Sequence, residues 1–101
     1  MIARLWRGWT SQADADAYER FLREHMFPSM LRVQGFTGAE LLRHDAGSEV
    51  AFVTITRFES LDAVRRFAGE DYERAVIEPE ARVLLTRHDE RSEHFDVAIA
   101  P

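Results

Sequence analysis

The sequence predicts an α+β fold of the ferredoxin-like type, with the element order βαββαβ and a four-stranded antiparallel sheet. Three observations carry this prediction. Four stretches rich in β-branched and aromatic residues are typical of strands, and two stretches with apolar residues at helical spacing alternate with them in the required order. The segment 45–48, Asp-Ala-Gly-Ser, is typical of a hairpin turn between the middle two strands. The 101 residues are expected to form one domain, 1–101.

The first predicted strand, Ile2–Trp9, leads directly into the first helix. Thr10 and Ser11 offer an N-cap for this helix, which is predicted to run to about Met26. Pro28 then ends it, because the residue before a proline is forced out of the helical region. The buried stripe of the helix is predicted from helical spacing to comprise Tyr18, Phe21, Leu22, His25 and Met26.

A hairpin and a second helix follow. The predicted strands are Phe36–Asp45 and Val50–Phe58, and the second carries apolar residues on both faces. Ser60 is the expected N-cap of the second helix, which ends at Gly69.

The last quarter of the chain is less regular. Pro79–Arg87 is compatible with either a short helix or an extended segment, and the sequence leaves both interpretations open. His88–Glu93 is polar and loop-like, and His94–Ile99 alternates as the final strand.

Composition excludes several classes of function. The net charge of −5 and the lack of a basic run argue against binding to nucleic acid or to an anionic membrane surface. The absence of cysteine excludes disulfides, thiolate catalysis and cysteine-based metal sites. No leader-like segment and no apolar run of membrane-spanning length are present, so a cytoplasmic protein is expected.

Two helices can cover only one face of the predicted sheet. The strands nevertheless place apolar residues on both faces, with Leu5, Trp9, Val53 and Ile55 on the side opposite to Phe52. A second copy of the same sheet is the natural cover. We therefore expect a two-fold homodimer packed sheet to sheet.

Three segments carry a resemblance that spans nearly the whole chain: IARLWRGW at the start, FESLDAVRRFAGEDYERAVIEPE in the second half, and SEHFDV near the end. In these segments the chain resembles the antibiotic biosynthesis monooxygenase-like members of the dimeric α+β barrel superfamily. The resemblance implies a homodimeric barrel with one pocket per subunit, between the helices and the sheet. It also implies cofactor-independent oxygenation of an aromatic or polyketide-like small molecule, with no cofactor and no metal.

The resemblance does not extend to the residues of any one reaction. Haem-degrading relatives use an asparagine on the first strand, a tryptophan on the second helix and a histidine shortly after it. The corresponding places here hold Leu5, Phe67 and the segment Val76–Glu78. Quinone-forming relatives surround a phenolic substrate with tyrosine, tryptophan, asparagine and arginine, and this chain contains no asparagine.

The catalytic candidates are His25, as a general base, and Tyr72, as a hydroxyl donor. The alternatives are a structural histidine at the helix end and a tyrosine that packs under the second helix. Arg4, Arg7 and Arg57 could meet an anionic ligand, or could pair with acidic side chains at a strand end. The residues predicted to bind substrate are Arg7, Trp9, Phe21, Leu22 and Phe67.

Three classes of function remain open from the sequence. The first is the oxygenase, the second is a non-catalytic ligand-binding or accessory protein, and the third is a lyase or isomerase that uses His25 or His94 for proton transfer. A metal site is not predicted, because His44, His88 and His94 lack the spacing of a ligand set. Polar groups that converge on the pocket would favour the oxygenase, and an entirely apolar or collapsed pocket would favour the binding or accessory protein.

Overall fold

An antiparallel sheet carries the fold, with strands in the order β2-β3-β1-β4 and with β5 also paired to β1. The computed structural model describes the whole chain, Met1–Pro101. The strands are β1 (Ile2–Ser11), β2 (Phe36–Ala46), β3 (Glu49–Phe58), β4 (Leu85–His88) and β5 (Glu93–Asp96). The helices are α1 (Ala15–Phe21), α2 (Phe27–Met30), α3 (Leu61–Ala68) and α4 (Pro79–Arg82), with a π-helical turn over Leu22–Met26. The predicted ferredoxin-like fold is confirmed.

The central strand β3 shows the alternation that its sequence predicts. Every second residue from Val50 to Phe58 is buried under the helices, and the residues between them are half-buried on the opposite face. Ser60 caps α3 as predicted, since its hydroxyl accepts from the Ala63 N–H at 3.2 Å. Burial of one face of β3 fixes the side of the sheet on which all helices lie.

The first helical segment continues past the predicted end at Pro28. A π-helical turn precedes the proline, and the Phe27 N–H donates to the Leu22 carbonyl five residues earlier. Proline removes one backbone donor and its ring crowds the carbonyl four residues before it, so a wider turn lets the helix continue to Met30.

The π-helical turn also corrects the predicted position of His25. The large side chains that this segment buries are Tyr18, Leu22 and Met30, and Phe21, Met26 and Phe27 are half-buried. His25 is exposed. The wide turn shifts the phase of the stripe, so the ordinary helical spacing used for the prediction does not hold here.

The start of the first helix also differs from the prediction. β1 extends through Thr10 to Ser11, and α1 begins at Ala15. The Ser11 hydroxyl accepts from the Asp14 N–H at 3.2 Å, so it stabilises the turn between strand and helix.

The fourth strand of the prediction is divided into two. β4 pairs with Gly8–Thr10 and β5 with Ile2–Leu5, so both lie along one edge of β1. β5 ends at Asp96 rather than at Ile99: Asp96 pairs with Ile2, the first residue of β1, and the Val97 N–H then donates to the Met1 carbonyl at 3.0 Å. The segment that the sequence left open contains both alternatives, first α4 and then β4.

The core is small and consists of two clusters under the helices. One cluster is built around Tyr18, Leu22 and Phe52, and the other around Met30 and Phe58. Only 17 of 101 residues are buried, so much of the apolar surface lies outside the core. No helix of the chain is long and apolar enough to cross a membrane.

Candidate functional site

A partly open cavity separates the two core clusters. It lies between the covered face of the sheet and the helical layer and opens to solvent. β1 and β3 supply its floor, and α1, the π-helical turn, α3 and the segment 76–81 supply its walls. This is the location that the family resemblance implies for the pocket.

The floor is polar because β3 carries two threonines between two phenylalanines. Phe52 and Phe58 belong to the two core clusters, whereas Thr54 and Thr56 line the cavity between them. The antiparallel register places Trp6 opposite Thr54 and Arg4 opposite Thr56 on β1. One sheet register therefore assembles four cavity residues.

Arg4 is the charged group of the floor, and its side chain is buried with 4 % exposure. Its Nη1 donates to the Tyr72 carbonyl and lies 3.0 Å from His94 Nε2, and its Nη2 donates to the Arg74 carbonyl at 3.1 Å. The Phe67 ring lies 5.6 Å from the guanidinium carbon. Burial lowers the pKa of Arg4 to about 10, so the side chain stays charged at neutral pH.

His94 on β5 contacts both Arg4 and Tyr72, which lies in the loop after α3. For Nε2 to accept from Arg4, the ring must be neutral with its proton on Nδ1. Burial lowers the pKa of His94, the Arg4 charge lowers it further, and Glu73 partly opposes both. The Tyr72 ring packs edge to face against the imidazole at 5.0 Å between centroids.

Two hydroxyls of the cavity wall have no hydrogen-bond partner. Thr54 Oγ1 and Ser92 Oγ are both buried and unpaired, and both residues line the cavity. Buried hydroxyls normally find a partner, because an unmade hydrogen bond costs about 1–3 kcal/mol. The pair therefore marks a place where a bound molecule or water can be held.

The remaining wall combines one carboxylate with apolar side chains. Glu78 is the acidic residue of the cavity; its backbone carbonyl accepts from the Ala81 and Arg82 N–H groups, and its carboxylate has no protein partner. Burial raises the pKa of Tyr18 well above its ordinary value, and the neighbouring Thr54 hydroxyl only partly opposes this shift, so the Tyr18 hydroxyl stays protonated. The apolar lining is Met26, Phe67, Val76, Ile77 and Ala81.

Of the residues predicted from the sequence, Phe67 alone lines the cavity. Phe21 and Leu22 pack in the first core cluster instead. Tyr72 packs beside the second cluster and reaches the site through its carbonyl, which accepts from Arg4. His25 lies on the outer surface, with its ring 5.6 Å from that of Phe21.

Arg7 and Trp9 lie on the opposite face of the sheet, away from the cavity. Arg7 is exposed and lies 3.8 Å from carboxylate oxygens of both Asp89 and Glu93. It therefore pairs with acidic side chains, which was the alternative to binding an anionic ligand. The Trp9 ring lies under the guanidinium of Arg87 at 3.9 Å. Strand parity sets this placement, because odd positions of β1 face away from the helices.

Sequence reasoning missed most of the polar groups of the cavity. Arg4 was considered only as one of three arginines, and Thr54, Glu78 and Ser92 were not considered. One local signal was available: two threonines interrupt an otherwise apolar buried face of β3. Ser92 and Glu78 come from irregular segments, whose position follows from tertiary packing alone.

Comparison with known proteins gives structural likeness only. No protein-family model and no curated protein matches the chain. SnoaB, a cofactor-independent oxygenase from Streptomyces nogalater, is similar over 98% of this chain and 95% of its own, with a TM-score of 0.63 and 21% identity. MhuD, a heme-degrader from Mycobacterium tuberculosis, is similar over 100% of this chain and 99% of its own, with a TM-score of 0.62 and 20% identity.

A third similar structure is named after antibiotic biosynthesis monooxygenases. An antibiotic biosynthesis monooxygenase from Bacillus cereus is similar over 99% of this chain and 95% of its own, with a TM-score of 0.63 and 14% identity. At such identities a likeness concerns the fold and not the reaction. The resemblance seen in the sequence is thereby confirmed in three dimensions: this chain has the fold of the antibiotic biosynthesis monooxygenase-like proteins.

Proposed function

We propose that this protein is a small dimeric oxygenase that oxidises an aromatic or polyketide-like molecule in its cavity without a bound cofactor. The observation that carries the proposal is the convergence of a cation, a carboxylate and unpaired hydroxyls on one cavity with apolar walls. A cavity lined by apolar groups alone would favour simple binding or packing. The fold shared with a cofactor-independent oxygenase agrees with this proposal.

The chemistry needs an acidic carbon or hydroxyl in the substrate and molecular oxygen as the co-reactant. A base removes a proton to give an electron-rich anion, which reacts with O2. For an anthrone, the methylene carbon loses both hydrogens and becomes a carbonyl. One oxygen atom stays in the quinone and the other leaves in water, so anthrone and O2 give anthraquinone and water.

Glu78 is the proposed base, because it is the acidic residue that lines the cavity and its carboxylate has no competing protein partner. Arg4 is placed to stabilise the developing anion. Phe67 keeps the substrate-binding role expected from the sequence. His25 is not part of the proposed site, because its side chain lies outside the cavity.

The proposal does not extend to haem. No histidine lines the cavity, so the imidazole of the haem-degrading pattern has no counterpart on the wall. Leu5, which the sequence aligns with the asparagine of that pattern, lies on the opposite face of the sheet from Arg4. The donor set of the cavity fits an oxygen-rich organic anion better than an iron porphyrin.

Oxygen consumption with anthrone tests the proposal. The wild-type protein is expected to accelerate oxygen uptake over a protein-free blank and to release anthraquinone. Glu78→Gln keeps the shape of the side chain but removes the base, so we expect the rate to fall by about 10²–10⁴-fold. An oxygen electrode and product chromatography give the two readouts.

Glu80→Gln is the matched control, since Glu80 is an exposed carboxylate on the neighbouring α4 and should leave the rate unchanged. His25→Ala should also be silent, and loss of activity in that variant would restore the role predicted from the sequence. Binding of anthrone without oxygen uptake would contradict the proposal in favour of a binding protein. Oxygen-independent conversion would favour a lyase or isomerase.

The homodimer belongs to the same proposal. The face of the sheet away from the helices carries half-buried Leu5, Trp9, Val53 and Ile55 and exposed Leu42. Ion pairs such as Arg57–Glu40 surround this apolar strip. A second sheet would remove the strip from water and would give each subunit one cavity on its outer side.

A further inference from the structure

Arg4 differs from the other arginines of the sheet in having no acidic partner. Arg7 and Arg57 both pair with carboxylates, whereas no carboxylate lies within ion-pair distance of Arg4. Three of its five N–H groups meet neutral acceptors, the carbonyls of Tyr72 and Arg74 and the ring of His94. The positive charge of a nearly fully buried guanidinium therefore has no carboxylate in direct contact with it.

An uncompensated buried cation is costly, and a purely structural role does not require it. Carbonyl oxygens at 72 and 74 could be bonded by a neutral donor without the desolvation of a full charge. A charge kept at this position is explained if an anion enters the cavity and completes the ion pair. The protein itself carries a net charge of −5, so an anion is not attracted by the surface as a whole.

A second, independent observation points to the same ligand chemistry. Thr54 and Ser92 are 7 % and 5 % exposed, and both residues share the cavity with Arg4. The Ser92 hydroxyl lacks a partner, and the Thr54 hydroxyl makes no well-formed hydrogen bond although it lies beside the Tyr18 hydroxyl. A hydroxyl can donate to an anionic oxygen, and a guanidinium can offer it further N–H groups. The three side chains together form a set of donors, and Glu78 is the one acidic residue that shares the cavity with them.

We propose that the floor of the cavity is an anion site in which Arg4, Thr54 and Ser92 hold the negatively charged oxygen group of an aromatic ligand. The aromatic body then lies against Phe67 and Met26 on the apolar wall. This inference deepens the proposed function and rests on it for the identity of the cavity as the substrate site. It defines the substrate class as aromatic carboxylates or enolates rather than neutral hydrocarbons or amines.

Binding of two ligands of equal shape tests the inference. 2-Naphthoate carries a carboxylate, whereas 2-naphthamide is neutral, and neither is a substrate for oxidation. The wild-type protein is expected to bind the carboxylate at least about tenfold more tightly in isothermal titration calorimetry. In Arg4→Gln that preference should disappear while the affinity for the amide is kept.

Arg7→Gln is the matched control, because Arg7 lies on the same strand but on the opposite face, paired with acidic residues. This variant should keep the preference. Circular dichroism checks the fold of each variant. If Arg4→Gln does not fold, the double variant Thr54→Val and Ser92→Ala should weaken binding of the carboxylate alone.

Equal affinity for the two ligands in the wild-type protein would overturn the inference, and so would failure to bind either. The same loss of preference in Arg7→Gln would overturn it as well, since it would point to general surface charge. Because the assay needs no oxygen, a protein that prefers the carboxylate but never consumes oxygen keeps the anion site and loses the oxygenase proposal.

Discussion

Two arginines on β1 show that the face of the strand on which a side chain lies decides its chemistry. Arg4 faces the helices and is buried at the cavity floor, whereas Arg7 faces away, is exposed and pairs with Asp89 and Glu93. Exposed ion pairs of this kind contribute at most about 1 kcal/mol to stability. The buried charge of Arg4 has no such compensation and therefore depends on what the cavity holds.

The ionisation of His94 should make the stability of the protein depend on pH. Its folded-state pKa is lowered, first by burial and then by the neighbouring Arg4 charge, from an ordinary value of about 6.5. The unfolded chain then binds more protons at His94 than the folded chain as the solution is acidified. The stability contributed by neutral His94 is complete above about pH 6.5 and is lost as the pH falls through the depressed pKa.

His94→Gln should therefore lose less stability than the wild-type protein between about pH 7.5 and pH 5. Urea denaturation at both pH values, at one protein concentration, measures the difference. His44→Gln serves as the control, because His44 is exposed on β2 and contacts no cation of the site. An identical pH dependence in His94→Gln and in the wild-type protein would contradict this account.

At the scale of elements, the π-helical turn sets the wall of the cavity. It carries the helix through Pro28 and directs Met26 toward both core clusters and the cavity. The same shift of phase leaves His25 in solvent. One wide turn therefore removes His25 from the predicted stripe and keeps Met26 on it.

The turn between α2 and β2 packs tightly against α3 through Gly35. This glycine has φ +93°, and a Cβ atom there would lie 2.5 Å from the Cβ of Ala63. Gly35→Ala is expected to lower the free energy of unfolding by about 2–5 kcal/mol, since a left-handed conformation and an overlap in the core both act against it. Thermal or urea unfolding measures the loss.

Gly47→Ala is the matched control for this prediction. Gly47 also has a positive φ, +77°, but nothing lies within 4 Å of an added Cβ. It should cost only about 1–2 kcal/mol, the conformational part alone. Equal losses in the two variants would show that contact with Ala63 is unimportant.

At the scale of the whole molecule, the sheet is covered on one side only. Helices bury the even-numbered face of β3, and the odd-numbered face stays half-buried with Val53 and Ile55 at its centre. In the register of the sheet, Val53 lies between Arg7 on β1 and Leu42 on β2. A partner sheet on this face would give the small core of one chain a second apolar layer.

Val53→Glu should convert the proposed dimer into a monomer, because a carboxylate at the centre of the interface would be desolvated without a partner. We expect the dissociation free energy to fall by about 2 kcal/mol or more. Sedimentation velocity should give twice the mass of one chain for the wild-type protein. Val83→Glu is the control, since Val83 is 80 % exposed outside the sheet.

A wild-type protein that sediments as a monomer at micromolar concentration would contradict the dimer, and so would a dimer that survives Val53→Glu. The cavity lies on the helical side of the sheet, on the face opposite to Val53. The Val53→Glu variant should therefore still bind 2-naphthoate if it remains folded.

The site was predictable only in part, and Phe67 and Arg4 show why. Phe67 follows helical spacing on α3, so its inward direction could be read from neighbouring residues. Arg4 could be assigned to a face of β1, but whether a carboxylate pairs with it depends on segments far along the chain. Ser92 and Glu78 come from loops with no periodic pattern, so nothing local indicates that they meet Arg4.

The amino-acid sequence by itself determined the element order, the antiparallel hairpin and the face of each strand, because alternation and helical spacing are properties of neighbouring residues. Tertiary structure alone decided the phase of the helix after Phe21, the division of the last strand, and the meeting of Arg4, Thr54 and Ser92 around one cavity. These features depend on strand register and on how the helices pack over the sheet, which are set by contacts between residues distant in sequence.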